Sequence, residues 1–296
     1  MASVRLPRFK RSPDIRPFHL TARDVEILRQ VHRHRFLRSS HLCALLSGSG
    51  QQLLRRLQRL YHHGYLDRPR AQLDYFHRGG SKSIVYGLAN KGAALLMERN
   101  APAGGTGRLF LEHALLVSDA MVALEVACRG RSDVHLIEPD ELSLPDTKRR
   151  LAEPFRWSVR LHGLGKLGVA PDRVFALRSS HHATSYDRVL YFLEADCGTM
   201  PVVRRSLAQS SFYRKLLAYE ATWTQELHRR RFGFHRFRVL TVTPSAERAR
   251  HLIEACSKLD RGHGLFLFAD LPSLQCHGDP LSMSWQSTRG SLETLV

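Results

Sequence analysis

The sequence has few cysteines and no long apolar run, and these shortages exclude several classes of protein. The 5 cysteines among 296 residues are an odd number, and no two of them form a CxxC pair. We therefore expect neither a disulfide framework nor a zinc knuckle. No apolar run approaches the roughly 18 residues that a membrane-spanning helix needs, and the first residues lack the apolar stretch of a secretory signal. The sequence predicts a cytoplasmic protein without a membrane partner.

Several enzyme motifs are also missing. The sequence contains neither the GxSxG turn of serine hydrolases nor the GxxxxGK[ST] phosphate loop of P-loop ATPases. The first sixty residues contain no tyrosine, which argues against a relaxase of the tyrosine class. Covalent serine chemistry and ATP hydrolysis are thus both disfavoured.

Acidic side chains are scarce relative to basic ones. Lys and Arg number 45 against 27 Asp and Glu, so the formal net charge is +18. The first 100 residues hold 19 of the basic but only 6 of the acidic side chains. Such an excess favours a polyanionic partner, most simply double-stranded DNA, and places most of the attraction in the N-terminal third.

The N-terminal hundred residues carry three helix signals. Thr21 is a typical N-cap, and apolar residues follow it at helical spacing. A short helix begins at Ser39 or Ser40 and stops before Gly48, and a third helix spans 51–63. Two predicted strands with a glycine-containing basic turn at 78–82 follow, and then a last short helix.

This order of elements resembles the winged helix-turn-helix family over about eighty residues. The resemblance implies that the third helix lies in a DNA major groove and that the hairpin tip reaches the backbone or minor groove. The candidate DNA-binding residues are Gln51, Gln52, Arg55, Arg56, Arg59, Arg78 and Lys82. The alternative is a winged helix used for protein contacts, whose Arg and Gln side chains form a solvated helix face.

Two predicted strands in the C-terminal two hundred residues carry acidic side chains. Asp172 follows Pro171 at the start of one strand, and the other strand ends in Glu194 and Asp196. Because side chains alternate along a strand, Glu194 and Asp196 are expected on the same face. Carboxylates gathered at one sheet edge repel each other, and a hard cation such as Mg²⁺ or Mn²⁺ is a natural way to stabilise them.

A helix with an acid, a strand with Pro-Asp, a strand with Glu-x-Asp and a basic helix together resemble the PD-(D/E)xK nuclease superfamily, which has the restriction-endonuclease-like fold. More narrowly, the chain resembles the replication-relaxation family of plasmids and integrative elements. That resemblance rests on the N-terminal winged helix, the Pro171-Asp172 step, the run 192–199, and Lys215 with Tyr219 downstream. It covers residues 18–270.

The resemblance implies DNA processing with a divalent metal. Asp172, Glu194 and Glu112 would bind Mg²⁺ or Mn²⁺, and the catalytic set would be Asp172, Glu194, Asp196 and Lys215. A metal held in this way would lower the pKa of a bound water for attack on a phosphodiester. The sequence departs from the nuclease pattern because Asp196 stands where a lysine is expected. There are two ways to compensate for the missing lysine: Lys215 reaches the site from the next helix, or Asp196 binds a second metal ion.

The alternative is an inactive nuclease-like scaffold, in which the acids cap strand ends and pair with arginines such as Arg173, Arg204 and Arg205. The leading prediction is a DNA-binding protein of a mobile element that supports replication, relaxation or mobilisation and nicks DNA if the site is active. The other is a non-catalytic regulator or replication initiator that contacts other replication proteins through its C-terminal domain. In that second hypothesis, formation of a homodimer is the other role open to the C-terminal domain.

The fold prediction is α+β or α/β: an N-terminal winged helix followed by a mixed sheet flanked by helices. Five segments are predicted: a basic mobile arm at 1–17, a winged helix-turn-helix domain at 18–100, a linker at 101–108, a nuclease-like domain at 109–270 and a tail at 271–296.

Overall fold

The computed structural model describes residues 8–13, 17–73, 83–97, 107–145, 153–179 and 188–296. The chain divides into two compact units, Met1–Val122 and Ala123–Val296, which we call unit 1 and unit 2. The predicted boundary was the linker at 101–108, of which residues 101–106 lie outside the described residues. Among the helices described, none combines the length and apolar character that crossing a membrane requires.

Unit 1 begins with three helices, α1 (Ala22–His34), α2 (Ser39–Leu45) and α3 (Gly50–His62). Thr21 caps α1 through a capping box: the Thr21 hydroxyl accepts from the Asp24 amide (3.3 Å), and the Asp24 carboxylate accepts from the Thr21 amide (2.7 Å). Ser49 caps α3 by accepting from the amide of Gln52. Apolar side chains of the three helices meet in one buried core, as their helical spacing predicts.

A three-stranded antiparallel sheet completes this part of unit 1. Strands β1 (Phe36–Arg38), β2 (Leu66–Asp67) and β3 (Val85–Leu88) lie in the order β1-β3-β2, and α4 (Asn90–Leu95) follows. A 3-10 turn spans Arg70–Gln72. This arrangement is compatible with the predicted winged helix. The hairpin tip lies outside the described residues, and so do Arg78 and Lys82.

Part of the predicted mobile arm packs against unit 1. The Arg11 guanidinium donates to the carbonyls of Tyr61 (3.0 Å) and Leu66 (3.2 Å), and the Ser12 amide donates to Nδ1 of His62 (3.1 Å). Basic composition alone does not reveal these contacts, because the acceptors are carbonyls and a ring nitrogen about fifty residues away in the chain. Residues 1–7 and 14–16 lie outside the described residues.

The helix α5 (Arg108–Arg129) begins in unit 1. The Ser118 hydroxyl donates to the carbonyl of Phe36 (2.7 Å), and the buried Asp119 carboxylate accepts from Arg38 (3.0 and 3.1 Å) and from His41 (2.7 Å). Burial would raise the pKa of Asp119, but these hydrogen bonds lower it below its ordinary value. The prediction assigned this whole helix to the nuclease-like domain, whereas residues up to 122 belong to unit 1.

Unit 2 is built on a seven-stranded mixed sheet. Its order is β12-β11-β10-β9-β8-β7-β4. The strands are β4 (Val134–Ile137), β7 (Arg173–Ser179), β8 (Arg188–Ala195), β9 (Phe237–Thr243), β10 (Phe266–Asp270), β11 (Trp285–Ser287) and β12 (Leu292–Glu293). β8, β9 and β10 are parallel, and the other neighbouring pairs are antiparallel. The carboxyl ends of β8, β9 and β10 therefore meet at one sheet edge.

The helices of unit 2 that alternate with these strands along the described chain are α6 (Phe212–Thr224), α7 (Leu227–Phe232), α8 (Ala246–Cys256) and α9 (Leu271–His277). The main core lies between the sheet and α6 and α8, where Phe192, Tyr219 and Leu252 are buried. The predicted fold class is confirmed: the chain is an α+β protein with a large mixed sheet flanked by helices.

Three details of unit 2 differ from the sequence expectation. The alternation of apolar and polar residues at 155–161 predicts a strand, and this strand, β5 (Trp157–Leu161), pairs with β6 (Gly165–Val169) as a separate hairpin. The apolar and basic pattern at 203–230 predicts one long helix, but the structure has two helices there, because Glu226 adopts a left-handed φ of 53° between them. The tail is not separate from the sheet, since β11 and β12 extend it.

Candidate functional site

The first candidate surface is the outer face of α3 in unit 1. Gln51, Gln52, Arg55 and Arg59 are exposed, while Leu57 is fully buried. No acidic residue occurs anywhere in α3. The helix therefore presents amide and guanidinium groups, which are the donors that hydrogen-bond to base edges and phosphates in a major groove.

Two α3 residues lie elsewhere than the sequence pattern predicts. Helical spacing predicts Leu54 on the apolar face of α3, but 46% of its surface is exposed among the polar side chains. The apolar residues of α3 that reach the core are those at positions 53, 57, 60 and 61. Arg56 was assigned to DNA, but its guanidinium pairs with the buried Asp24, with Nε donating over 2.8 Å, and lies 4.3 Å from the ring centroid of Phe18. Arg56 thus stabilises the fold of unit 1.

Replacing Arg56 tests this structural assignment. Burial would raise the pKa of Asp24, but hydrogen bonds from Arg56 and Thr21 lower it below its ordinary value. We expect Arg56→Met to reduce the free energy of unfolding by about 2 kcal/mol at pH 7, because it leaves the Asp24 charge without its main partner. Urea unfolding measures this loss. The matched variant Arg59→Met should cost no more than about 0.5 kcal/mol, since Arg59 is exposed. Equal losses would contradict the assignment.

The second candidate site lies at the carboxyl end of β8 in unit 2. Because β7 runs antiparallel to β8, Asp172 at the start of β7 comes beside Glu194 at the end of β8. The Asp172 amide donates to the carbonyl of Leu193 (3.0 Å), and the Ala195 amide donates to the Asp172 carboxylate (2.8 Å). Two acids predicted from separate motifs are therefore neighbours.

Glu194 is 2% exposed and both of its oxygens accept hydrogen bonds from α6. The ammonium of Lys215 donates to Oε2 over 2.5 Å, and the hydroxyl of Tyr219 donates to Oε1 over 2.6 Å. Lys215 and Tyr219 are four residues apart, so they lie on the same helix face. Glu194 shares the face of β8 that carries Phe192, which α6 covers. A lysine of the following helix thus lies beside Glu194, whereas position 196 holds an aspartate.

The electrostatics of this cluster keep its donors protonated. Burial would lower the pKa of Lys215, but the carboxylates of Glu194 and Asp172 raise it above its ordinary value. Burial and the neighbouring Glu194 raise the pKa of Tyr219 well above its ordinary value. Burial also raises the pKa of Glu194, although the Lys215 ammonium acts in the opposite direction. A nearly fully buried carboxyl group is thus held by two fixed donors.

Asp196 is bound by a residue that the sequence analysis missed. Arg248 on α8 donates to both Asp196 oxygens, with Nε at 2.6 Å, and also to the carbonyl of Met200 (2.5 Å). The inactive-scaffold hypothesis named Arg173, Arg204 and Arg205 instead, but Arg204 donates to the carbonyl of Ser210, and Arg173 lies 3.8 Å from Glu138. Asp196 follows β8 and α8 follows β9, so the parallel pairing of these strands is the signal that identifies Arg248.

The donor set does not fit a preformed metal centre. Within the ranges that the structure describes, no group of three or more His, Cys, Asp or Glu side chains is placed to hold a metal ion. Glu112 lies on α5 in unit 1, where it pairs with Arg108 over 2.8 Å. In unit 2, Glu194 and Asp196 already accept hydrogen bonds from Lys215, Tyr219 and Arg248. A cation at these oxygens would have to displace a cationic side chain or a hydroxyl group.

Comparison with known proteins gives one match. The sequence model of a protein family described as replication-relaxation matches residues 28–236. This range includes α3, Asp172, Glu194 and Lys215. No curated protein and no solved structure matches the chain.

Proposed function

The chain belongs to the replication-relaxation family, and we propose that it binds duplex DNA through unit 1. Family membership indicates a role in the replication or relaxation of a plasmid or another mobile element. DNA binding is the physical step that such a role needs first. The observation that carries this proposal is the exposed face of α3, on which amides and guanidinium groups occur without a single acid.

The order of elements in unit 1 supports the proposal. A short helix, a turn and α3 are followed by two paired strands, which is the order of a winged helix-turn-helix domain. In that arrangement α3 is the recognition helix. The exposed Leu54 fits this role, because apolar side chains in the major groove contact thymine methyl groups. Arg55 and Arg59 are suited to guanine edges or phosphates, and Gln51 and Gln52 to adenine.

The acidic cluster of unit 2 has, in this proposal, a structural role. Glu194 is paired with Lys215 and Asp196 with Arg248, so neither of these two carboxylates depends on a metal ion. Unit 2 then serves as a nuclease-like scaffold that is available for contacts with other replication proteins.

Fluorescence anisotropy of a labelled duplex tests the proposed binding. We expect the binding constant of the full chain to fall steeply as the salt concentration rises. For each phosphate contacted, the logarithm of the binding constant should fall by about 0.9 for every tenfold increase in salt. Binding that is absent, or that does not change with salt, would contradict the proposal.

A second candidate function is DNA nicking, which one observation favours. The Lys215 ammonium contacts Glu194 over 2.5 Å, and this contact provides the lysine that the nuclease pattern requires beside that acid. A lysine in such a position would stabilise the charge that develops on a phosphate. The nicking function also requires the Mg²⁺ or Mn²⁺ that the family resemblance implies.

Incubation with supercoiled plasmid separates the two candidates. Because both Glu194 oxygens are occupied, we expect the plasmid to stay supercoiled with Mg²⁺, with Mn²⁺ and with EDTA, at protein concentrations that saturate binding. Gel electrophoresis gives the result, with Glu194→Gln as the matched variant. Metal-dependent nicking by the wild type that disappears in Glu194→Gln would overturn the structural assignment and establish a nuclease.

A further inference from the structure

The hairpin of β5 and β6 in unit 2 has one apolar face and one basic face. Trp157, Val159, Leu167 and Val169 are buried in the main core. On the opposite face, Arg160 and Lys166 are both exposed and lie directly across from each other in the strand register. The family resemblance assigns this hairpin no role.

The charges on the basic face repel each other. Like charges placed directly opposite on neighbouring strands destabilise a hairpin. Residues 155–170 include Arg156, Arg160, His162 and Lys166 but no acid. Within the described residues, neither Arg160 nor Lys166 comes within ion-pair distance of an acid. The fold thus maintains an uncompensated cationic pair, which an external polyanion would neutralise.

Several hydrogen bonds hold the hairpin in place on the neighbouring helices. Nε1 of Trp157 donates to the hydroxyl of Thr222 on α6 (2.9 Å), and the Gln225 side chain donates to the Arg160 carbonyl (2.8 Å). Arg231 of α7 donates to the carbonyl of Arg156 (2.8 Å). The last bond brings α7, which carries the exposed Arg230, beside β5. Arg229 of α7 is already paired with Glu226 over 3.0 Å. The cationic face is therefore fixed before any ligand arrives.

The hairpin also leads directly into the sheet edge of unit 2 that carries Asp172 and Glu194. Lys166 precedes Asp172 by six residues, so the two lie within about 20 Å even if the chain between them is extended. At the turn, Gly163 and Gly165 have φ angles of 75° and 73°, and no atom lies within 4 Å of an added Cβ at either position. Because these two glycines carry no side chain, the backbone at each of them is open to a phosphate group.

We propose that the basic face of the β5–β6 hairpin binds the phosphate backbone of duplex DNA as a second contact besides α3. This inference rests on the proposed DNA binding of the chain and extends it to unit 2. Phosphate is favoured over an acidic protein partner because this face offers two charges and two open glycines, while the apolar side chains of the two strands are buried on the opposite face. The contact carries no base specificity, since it positions the duplex through its backbone.

The test compares two charge-removing variants of the full chain. Arg160→Ser with Lys166→Ser removes the hairpin pair. The matched control is Arg178→Ser with Arg188→Ser, which removes another exposed, directly opposed pair. That pair lies at the end of β7 and β8 remote from Asp172 and Glu194. Anisotropy of a labelled duplex between about 50 and 200 mM salt gives the salt dependence of each binding constant. Thermal unfolding identifies any variant that fails to fold, and Arg160→Gln with Lys166→Gln then replaces the hairpin variant. Arg160→Lys with Lys166→Arg is a second control, because it keeps both charges.

For the hairpin variant, we expect the slope of log affinity against log salt to be smaller by about 1.8, since two phosphate contacts are lost. The control and the charge-preserving variant should keep the wild-type slope. An unchanged slope in the hairpin variant, or an equal loss in the control, would overturn this inference while leaving DNA binding by α3 intact. A wild type that does not bind duplex would overturn the proposed function itself, and the inference with it.

Discussion

Lys215→Met is expected to reduce the free energy of unfolding by about 3 kcal/mol at pH 8, because it leaves a buried carboxylate without its cationic partner. Glu194 is 2% exposed, so its carboxylate has little hydration of its own to offset the loss of the ammonium. Methionine has a similar length and fills the same space on α6. The loss therefore reports the ion pair rather than a cavity.

The same variant should show a distinct pH dependence. Burial already raises the pKa of Glu194, and removing Lys215 raises it further. A carboxyl group whose folded pKa exceeds its unfolded value, about 4.3, stabilises the fold when protonated, and this stability is lost as pH rises through the folded pKa. Urea unfolding of Lys215→Met should thus show a smaller deficit at pH 5 than at pH 8.

The double variant Lys215→Met with Glu194→Gln is the control for this prediction. It removes both charges and keeps an amide where the carboxylate was, so its stability should be closer to that of the wild type and nearly independent of pH in this range. A Lys215→Met deficit that does not change with pH would contradict the ion-pair account. A double variant as unstable as the single one would contradict it equally.

Removing Arg55 and Arg59 together should lower duplex affinity at least tenfold, roughly the effect of losing two phosphate contacts at moderate salt or one bidentate base contact. Both side chains are exposed on α3, and neither forms an ion pair with an acid in the part of the chain that the structure describes. Their loss should therefore leave stability unchanged. Anisotropy with Arg55→Ala and Arg59→Ala in the full chain measures the effect.

Arg250→Ala with Arg289→Ala is the matched control, because both arginines are exposed in unit 2 and lie away from the α3 face in the chain. This control removes the same net charge and leaves the sequence of α3 unchanged. Comparable affinity in the two double variants would show that net charge, and not the α3 surface, governs binding.

Local sequence patterns predicted the helices of unit 1 well, because each signal lies within a few residues of its effect. Thr21 and Ser49 cap α1 and α3 as hydroxyl side chains at N-caps do. The strand β1 was missed, since three residues between two helices give no alternation to recognise. The place of Leu54 was missed for a related reason: a helix with four leucines leaves the edge of its apolar face undefined.

In unit 2, the sequence identified the acids but not all of their partners. Asp172, Glu194 and Lys215 were named, and the structure brings them together. Tyr219 was noted only as part of a family motif, and Arg248 was not noted at all. Both pairings depend on tertiary packing: α6 covers one face of β8, and α8 begins where β9 ends. The strand at 155–161 was predicted without its partner β6 for the same reason, because alternation predicts a strand without indicating its neighbour.

Photocrosslinking from the α3 surface tests the central claim, DNA binding through α3, most directly. The photoreactive amino acid p-benzoylphenylalanine is placed at Gln52 or, as a control, at Gln275, an exposed glutamine on α9 of unit 2. Each full-length variant is irradiated with labelled duplex at low salt. We predict that DNA crosslinks to position 52 and not to position 275. Crosslinking at position 275 without crosslinking at position 52 would contradict the account.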